Sequence, residues 1–178
     1  MNDPEHKPEH ADQKHIGKGM IIGAWVGLLA ILTLFFNSYL ERVNNPNTEP
    51  ETFTTGSVTE VVLKRNRSGH YVASGMINGR AVTFLLDTGA TDVAVPDGLA
   101  ADLGLRPGAY ITSRTANGVV TARQTTLSEV SIGDIRLHDV RASILPGMQD
   151  DEVLLGMSFL KQLELVQRGK QLLLRQVR

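Results

Sequence analysis

Phe84-Leu85-Leu86-Asp87-Thr88-Gly89-Ala90-Thr91 is the stretch that decides how this chain is read. Three apolar residues run straight into a carboxylate, and a glycine follows two positions later. An ionised carboxylate at the end of an apolar strand costs several kcal/mol unless it is hydrogen-bonded, paired or protonated. The segment therefore predicts a buried Asp87 with a site built around it. Thr88 and Gly89 supply the means. Glycine permits a tight loop in which backbone N–H groups approach the carboxylate, and a threonine hydroxyl can tie one such loop to another. An Asp-Thr-Gly triplet alone is equally an ordinary strand-ending turn; the apolar residues before this one and a second apolar-apolar-glycine element at Leu154-Leu155-Gly156 set it apart.

Outward from this segment the signals are mostly β. Val58–Leu63, His70–Ile77 and Arg80–Leu86 have strand composition, and Asn78-Gly79 is a two-residue hairpin turn between the last two. Val93-Ala94-Val95 resumes extended structure before Pro96, and Asp97–Leu103 reads as a short helix with Asp97 at its N-cap and Gly104 as its stop. Tyr110–Ala116 and Val119–Thr126 flank a second hairpin turn, Asn117-Gly118. A third turn at Gly133-Asp134 joins Val130-Ser131-Ile132 to Ile135-Arg136-Leu137, with Val140–Leu145 continuing the sheet. Val153–Leu160 changes from a strand to a short-helix pattern, and Leu163–Val166 with Leu172–Leu174 closes the chain as a last hairpin around Arg168-Gly169-Lys170. Short strands, repeated hairpin signals and one or two short helices predict a small, closed, all-β barrel domain over 58–178.

Before that domain the composition changes twice. Residues 1–19 are polar and too poor in apolar side chains to build a core, and read as a disordered tail. His6, His10 and His15 read there as solvated side chains rather than a metal tract. From 20 to 40 there is no charged residue, and Met20–Phe36 is almost continuously apolar, long enough for a helix to cross a bilayer. A cleaved signal peptide is the competing reading, but the apolar run is long for one and no small-x-small cleavage site follows Phe36. Lys7, Lys14 and Lys18 before the run, against Arg42 alone in the twenty residues after it, place the N-terminus in the cytoplasm and the bulk of the chain across the membrane. Residues 41–57, with Asn44-Asn45-Pro46-Asn47 and Pro50, read as a linker.

Several chemistries are excluded. The chain has no cysteine, hence no disulfide, thiolate metal site or cysteine nucleophile. From Glu41 onward fifteen cationic side chains balance fifteen acidic ones, which leaves no overall basic field for nucleic acid. No Gly-x-Ser-x-Gly elbow, His-Glu-x-x-His helix, phosphate loop or dinucleotide fingerprint occurs. His70 and His138 have no partners at metal-ligand spacing. The run Asp150-Asp151-Glu152 reads as a solvated turn.

The sequence resembles the retropepsin-like aspartic proteases, most closely their membrane-anchored bacterial branch. The likeness rests on Asn78-Gly79 before a strand, Phe84–Thr91, Thr115-Ala116-Asn117-Gly118 and Leu154–Leu160, and covers roughly Val58 to the C-terminus. It implies an aspartic endopeptidase without cofactor or metal, in which Asp87 is the catalytic aspartate and Thr88 and Gly89 form its loop. It also implies that Ala90 and the hairpin residues Ala116, Asn117 and Gly118 contact an extended peptide, the hairpin acting as a flap; on sequence alone a purely structural hairpin is an equal reading. Such chemistry uses two carboxyl groups sharing a proton and a water molecule, since like charges a few ångströms apart cannot both ionise. Asp92, Asp97, Asp102, Asp134 and Asp139 lack the setting of Asp87. The second carboxylate is therefore expected from a homodimer with its two-fold axis near Asp87. A non-catalytic peptide-binding or assembly module that keeps the fold is the alternative, and a regulator acting through the cytoplasmic tail a third.

Overall fold

Residues 13–115, 118–148 and 151–177 are described by the structure, a computed structural model. In chain order they form helix α1 (Gln13–Asn44), strands β1 (Glu51–Thr55), β2 (Val58–Lys64), β3 (Val72–Ile77), β4 (Arg80–Leu86) and β5 (Val93–Pro96), and helix α2 (Asp97–Ala100). Strands β6 (Tyr110–Thr115), β7 (Gly118–Ile132), β8 (Ile135–Leu145) and β9 (Glu152–Leu155), helix α3 (Met157–Leu160), and strands β10 (Glu164–Arg168) and β11 (Gln171–Val177) follow. The chain divides into two units, Met1–Glu41 and Arg42–Arg178.

In the first unit α1 is apolar on every face, with Ile21, Val26, Leu29, Ile31 and Leu34, spread around its circumference, all exposed. Its stretch Gly17–Asn44 is long and apolar enough to cross a membrane. The Thr33 hydroxyl donates to the Leu29 carbonyl at 2.8 Å, so the run leaves that group satisfied within the helix. The helix begins at Gln13, inside the stretch expected to be a disordered tail, because extending a nucleated helix by a turn costs little. His6 and His10 lie outside the described residues.

The second unit corrects the linker expected over 41–57. The helix continues to Asn44, and the chain is then captured by the domain. Asn47 is 3% exposed. Its Nδ2 donates to the carbonyls of Lys64 (2.9 Å) and Val72 (2.6 Å), its Oδ1 accepts the Lys64 N–H at 2.6 Å, and its own carbonyl accepts the Ser74 N–H at 3.0 Å. Asn45 is buried beside it, with Oδ1 on the Asn47 N–H and Nδ2 on the Ser74 hydroxyl. β1 then pairs antiparallel with β2, Thr55 opposite Val58. Composition concealed this because its polar residues satisfy backbone groups of the sheet instead of facing water.

Two sheets follow. β1, β2, β11 and β10 form one of four strands in that order. The other runs β3-β4-β9-β5-β8-β7-β6, and an additional β3–β7 pairing closes its first six strands into a ring. The closed all-β barrel with two short helices agrees with expectation. Alternation explains the strands: along β2 Thr59, Val61 and Leu63 are buried, while Val58, Glu60 and Val62 are half-covered and Lys64 is exposed. At the β3–β4 hairpin Asn78 (φ 51°) and Gly79 (φ 76°) both take the left-handed conformation that a two-residue turn of this hand requires. Asn78 also anchors the barrel, donating from Nδ2 to the Leu103 carbonyl and accepting the Glu129 N–H on Oδ1.

The core contains Leu63, Ile77, Phe84, Leu127, Ile132, Ile135, Leu155, Phe159, Leu160 and Leu174, all fully or almost fully buried. Each such side chain contributes about 1.5–3 kcal/mol through removal from water. The helix expected over Asp97–Leu103 is shorter: Pro96 is at its N-cap, Asp97 is its first residue, and no side chain caps it. On the four-stranded sheet Arg175 bridges Glu60 (2.7 Å) and Glu164 (2.9 Å), tying β11 to both neighbours.

Candidate active site

β4 and β9 lie side by side and parallel, with Phe84 opposite Val153, Leu85 opposite Leu154 and Leu86 opposite Leu155. Their apolar residues make them barrel staves, and at their C-terminal ends both chains turn. From β4 the chain enters Asp87-Thr88-Gly89, and from β9 it enters Gly156 and α3. The Asp87 N–H donates to the Leu155 carbonyl at 3.2 Å, so the two turns start from a shared bond.

The turn holds its carboxylate through its own backbone. Asp87 Oδ1 accepts the Gly89 N–H at 2.8 Å, and the Asp87 carbonyl accepts the Ala90 N–H at 3.3 Å. A Cβ at position 89 would stand 3.1 Å from Asp87 Oδ1, close enough to push on the oxygen, so glycine suits the position sterically. Thr88 and Gly89 are exposed, while Asp87 and Ala90 are half-covered. The buried setting predicted for Asp87 is thus incomplete in one chain: Phe84 in the strand beneath is buried, but Asp87 itself is only half-covered. Among the described residues no donor other than Gly89 N–H reaches it.

The loop after Gly89 is held from below by α3. The Met157 N–H donates to the Ala90 carbonyl (2.8 Å), and the Ser158 N–H donates to that of Thr91 (2.9 Å). The Ser158 hydroxyl accepts the Val93 N–H at 3.0 Å and donates to the Arg141 carbonyl at 2.7 Å, so one buried residue joins β5 and β8 through its side chain and the Asp87 loop through its backbone. Arg141 in turn pairs its Nε with Asp92 Oδ1 at 2.6 Å. Ser158 and the Asp92–Arg141 pair were missed by sequence reasoning. Ser158 had a signal: it is the one polar side chain in Leu154–Leu160, and a buried hydroxyl there must find partners.

Gly156 makes this support possible. A Cβ there would overlap the carbonyl oxygen of Asp92 and lie 2.8 Å from that of Ala90. Both obstacles are backbone in the loop that carries Asp87, so neither can swing away as a side chain would. Gly156→Ala is expected to destabilise the domain by about 2–4 kcal/mol, measured as a lower urea midpoint.

The β6–β7 hairpin projects with alternating exposure along β6. Thr115 is opposite Gly118, and its hydroxyl donates to the Gly118 carbonyl at 3.0 Å; Ala116 and Asn117 lie outside the described residues. At the base of the hairpin Ile111, Val120 and Ala122 join Ala94, Leu145, Met148 and Leu154 in a second apolar cluster, separate from the main core. Leu154, next to the strand that carries Asp87, therefore also packs with the hairpin. No group of three or more metal-binding side chains occurs among the described residues.

Comparison with known proteins agrees with this geometry. The model of the gag-polyprotein putative aspartyl protease family matches residues 73–162. An uncharacterised protein in the cobV 5′ region of Sinorhizobium is 38% identical over 111 residues, covering 61% of this chain and 48% of that protein. An uncharacterised protein of Rickettsia prowazekii is 31% identical over 120 residues, covering 66% and 51%. The chain thus spans about half the length of these curated relatives. The crystal structure of a retropepsin-like aspartic protease from Rickettsia conorii superposes with a TM-score of 0.58 at 30% identity, covering 72% of this chain and 96% of that one.

Proposed function

Because this chain belongs to the retropepsin-like aspartic protease family, we propose that it is an aspartic endopeptidase working as a homodimer, with Asp87 from each copy forming the catalytic pair. The observation that carries the reading is Asp87 itself: a carboxylate fixed by the Gly89 N–H on a braced turn, yet only half-covered and followed by the exposed Thr88 and Gly89. Asp92 is engaged by Arg141, which leaves it a structural task. A second copy related by a two-fold axis beside Thr88 and Gly89 supplies the missing carboxyl group and covers that turn.

The chemistry follows from two carboxyl groups sharing one proton. The ionised member takes a proton from a water held between them, and the water oxygen attacks the peptide carbon. The protonated member gives its proton to the carbonyl oxygen, producing a neutral tetrahedral diol. The carboxyl group protonated in the first step passes its proton to the amide nitrogen while the other takes one from a diol hydroxyl, the C–N bond breaks to leave an acid and an amine, and both carboxyl groups return to their starting state. The β6–β7 hairpin, with Gly118 at its described end, closes over the peptide with Ala116 and Asn117. Ala90 flanks the bound backbone. Ile111, Val120 and Leu154 give an apolar floor, which favours substrates with apolar side chains near the cleaved bond.

In this reading α1 spans a bacterial inner membrane with its N-terminus cytoplasmic and the protease domain periplasmic, as Lys7, Lys14 and Lys18 against Arg42 favour. Confinement to the membrane raises the effective concentration of the monomers.

The test uses a fragment beginning at Arg42, which keeps Asn47 and β1; a start at Val58 would remove both. Sedimentation and peptide-library cleavage at mildly acid pH should show specific activity rising with concentration in step with the dimer fraction. Cleavage at full rate by a monomeric sample would overturn the dyad. A dimer that binds peptides without cutting them would make the chain a peptide-binding module.

A further inference from the structure

We infer that the surface where the chain leaves the apolar helix is a docking site for anionic lipid headgroups. The inference rests on α1 crossing the bilayer, as proposed above. Three segments distant in sequence meet there. Asn66 Nδ2, in the β2–β3 loop, donates to the carbonyl of Asn44 at the end of α1. The Arg65 N–H of the same loop donates to the carbonyl of Lys170 in the β10–β11 turn at 2.8 Å. Each segment brings cations: Arg42 on the last turn of α1, Arg65 and Arg67 on the loop, Arg168 and Lys170 on the turn. All five side chains are exposed.

Among the described residues none of the five has a carboxylate within ion-pair distance, whereas neighbouring Lys64 is neutralised by Glu51 at 2.7 Å. Glu41 and Glu49 flank the exit in sequence, and Glu152 accepts from Asn44. The domain as a whole balances its charge, so this collar is a local concentration of one sign.

Chain length fixes what the collar can meet. Only Glu41 to Asn44 separate Leu40 from buried Asn45, so the domain is captured within about 17 Å of the last apolar residue even if that stretch were fully extended. Residues 41–44 continue α1 and rise only about 6 Å there, so Arg42 and the start of the domain stay within a Debye length of the bilayer surface, where each cation favours an anionic surface. Soluble polyanions would not account for clustering at the membrane exit. The consequence for function is orientation: a docked domain holds its cleft at a fixed height, suited to polypeptide segments just outside the membrane.

The absence of cysteine makes the test direct, since Ser68→Cys gives a single attachment point inside the collar and Leu32→Cys one within the helix. The 178-residue chain, labelled at either site with a fluorophore, is placed in nanodiscs of phosphatidylcholine with or without phosphatidylglycerol. Quenching is then read with nitroxides on the headgroups or the acyl chains. The expected result is acyl-chain quenching at position 32 in both lipids, with headgroup quenching at position 68 only when phosphatidylglycerol is present and lost at high salt. Neutralising Arg67→Gln, Arg168→Gln and Lys170→Gln, none of which has a side-chain partner among the described residues, should lower the docked-to-undocked ratio about fivefold per residue. Equal quenching at position 68 in both lipids, or an unchanged response in the triple variant, would overturn the docking site alone. No acyl-chain quenching at position 32 would overturn the span and the docking site together, while leaving cleavage of soluble peptides by the Arg42–Arg178 fragment unaffected.

Discussion

Asp87→Asn should lower peptide cleavage at least about 10³-fold while leaving the fold and the monomer–dimer equilibrium nearly unchanged. Asparagine keeps the size of aspartate and an oxygen that can accept the Gly89 N–H, so the turn survives. It removes the group that takes a proton from water. The informative form of the experiment is a mixture. If each copy contributes one member of a pair, a mixed dimer is inactive, and an equimolar blend at fixed total concentration retains about a quarter of the activity once subunits have exchanged. Catalysis by single chains would leave about a half. Full activity of the Asp87→Asn protein would remove Asp87 from the mechanism altogether, whatever the oligomeric state.

This prediction comes from a segment that was legible in sequence, and the reason is local. Arg80–Leu86 has strand composition, Asn78-Gly79 meets the conformational demand of the turn before it, and Asp87-Thr88-Gly89 ends it; the observed β4 has those bounds. The third hairpin, at Gly133-Asp134, and the last, around Gly169, were readable for the same reason, since turn chemistry and alternation act over a few residues. What could not be read depends on partners far along the chain. The parallel pairing of β4 with β9 joins residues about seventy apart, and nothing within either strand specifies it. Ser158 matters because Val93 and Arg141 converge on it, and Asp92 looked like one more surface carboxylate until the fold brought Arg141 to it. The incomplete burial of Asp87 has a different origin. Its apolar strand indicates that a cover exists but not which chain provides it.

The largest departure from the sequence reading yields the largest expected effect on stability. Asn47, taken for a linker residue, holds the start of the domain by three side-chain hydrogen bonds, to the N–H and carbonyl of Lys64 and the carbonyl of Val72. These groups belong to β2 and β3, strands of different sheets, so one buried amide links the four-stranded sheet to the barrel. Asn47→Ala would strip partners from a donor and two acceptors around a side chain that water barely reaches, at about 1–3 kcal/mol for each group left unsatisfied. Relaxation and partial hydration reduce the sum, and we expect a net loss of about 3–5 kcal/mol. In urea unfolding of the Arg42–Arg178 fragment this should lower the midpoint at unchanged slope. Asn47→Asp separates this account from a loss of packing: it keeps the shape and the acceptor for Lys64 N–H, but points an acceptor at two carbonyl oxygens. It should therefore be at least as damaging as alanine despite being nearly isosteric. A residue in a solvated linker would tolerate both changes within about 0.5 kcal/mol, and that outcome would detach Asn47 from the fold.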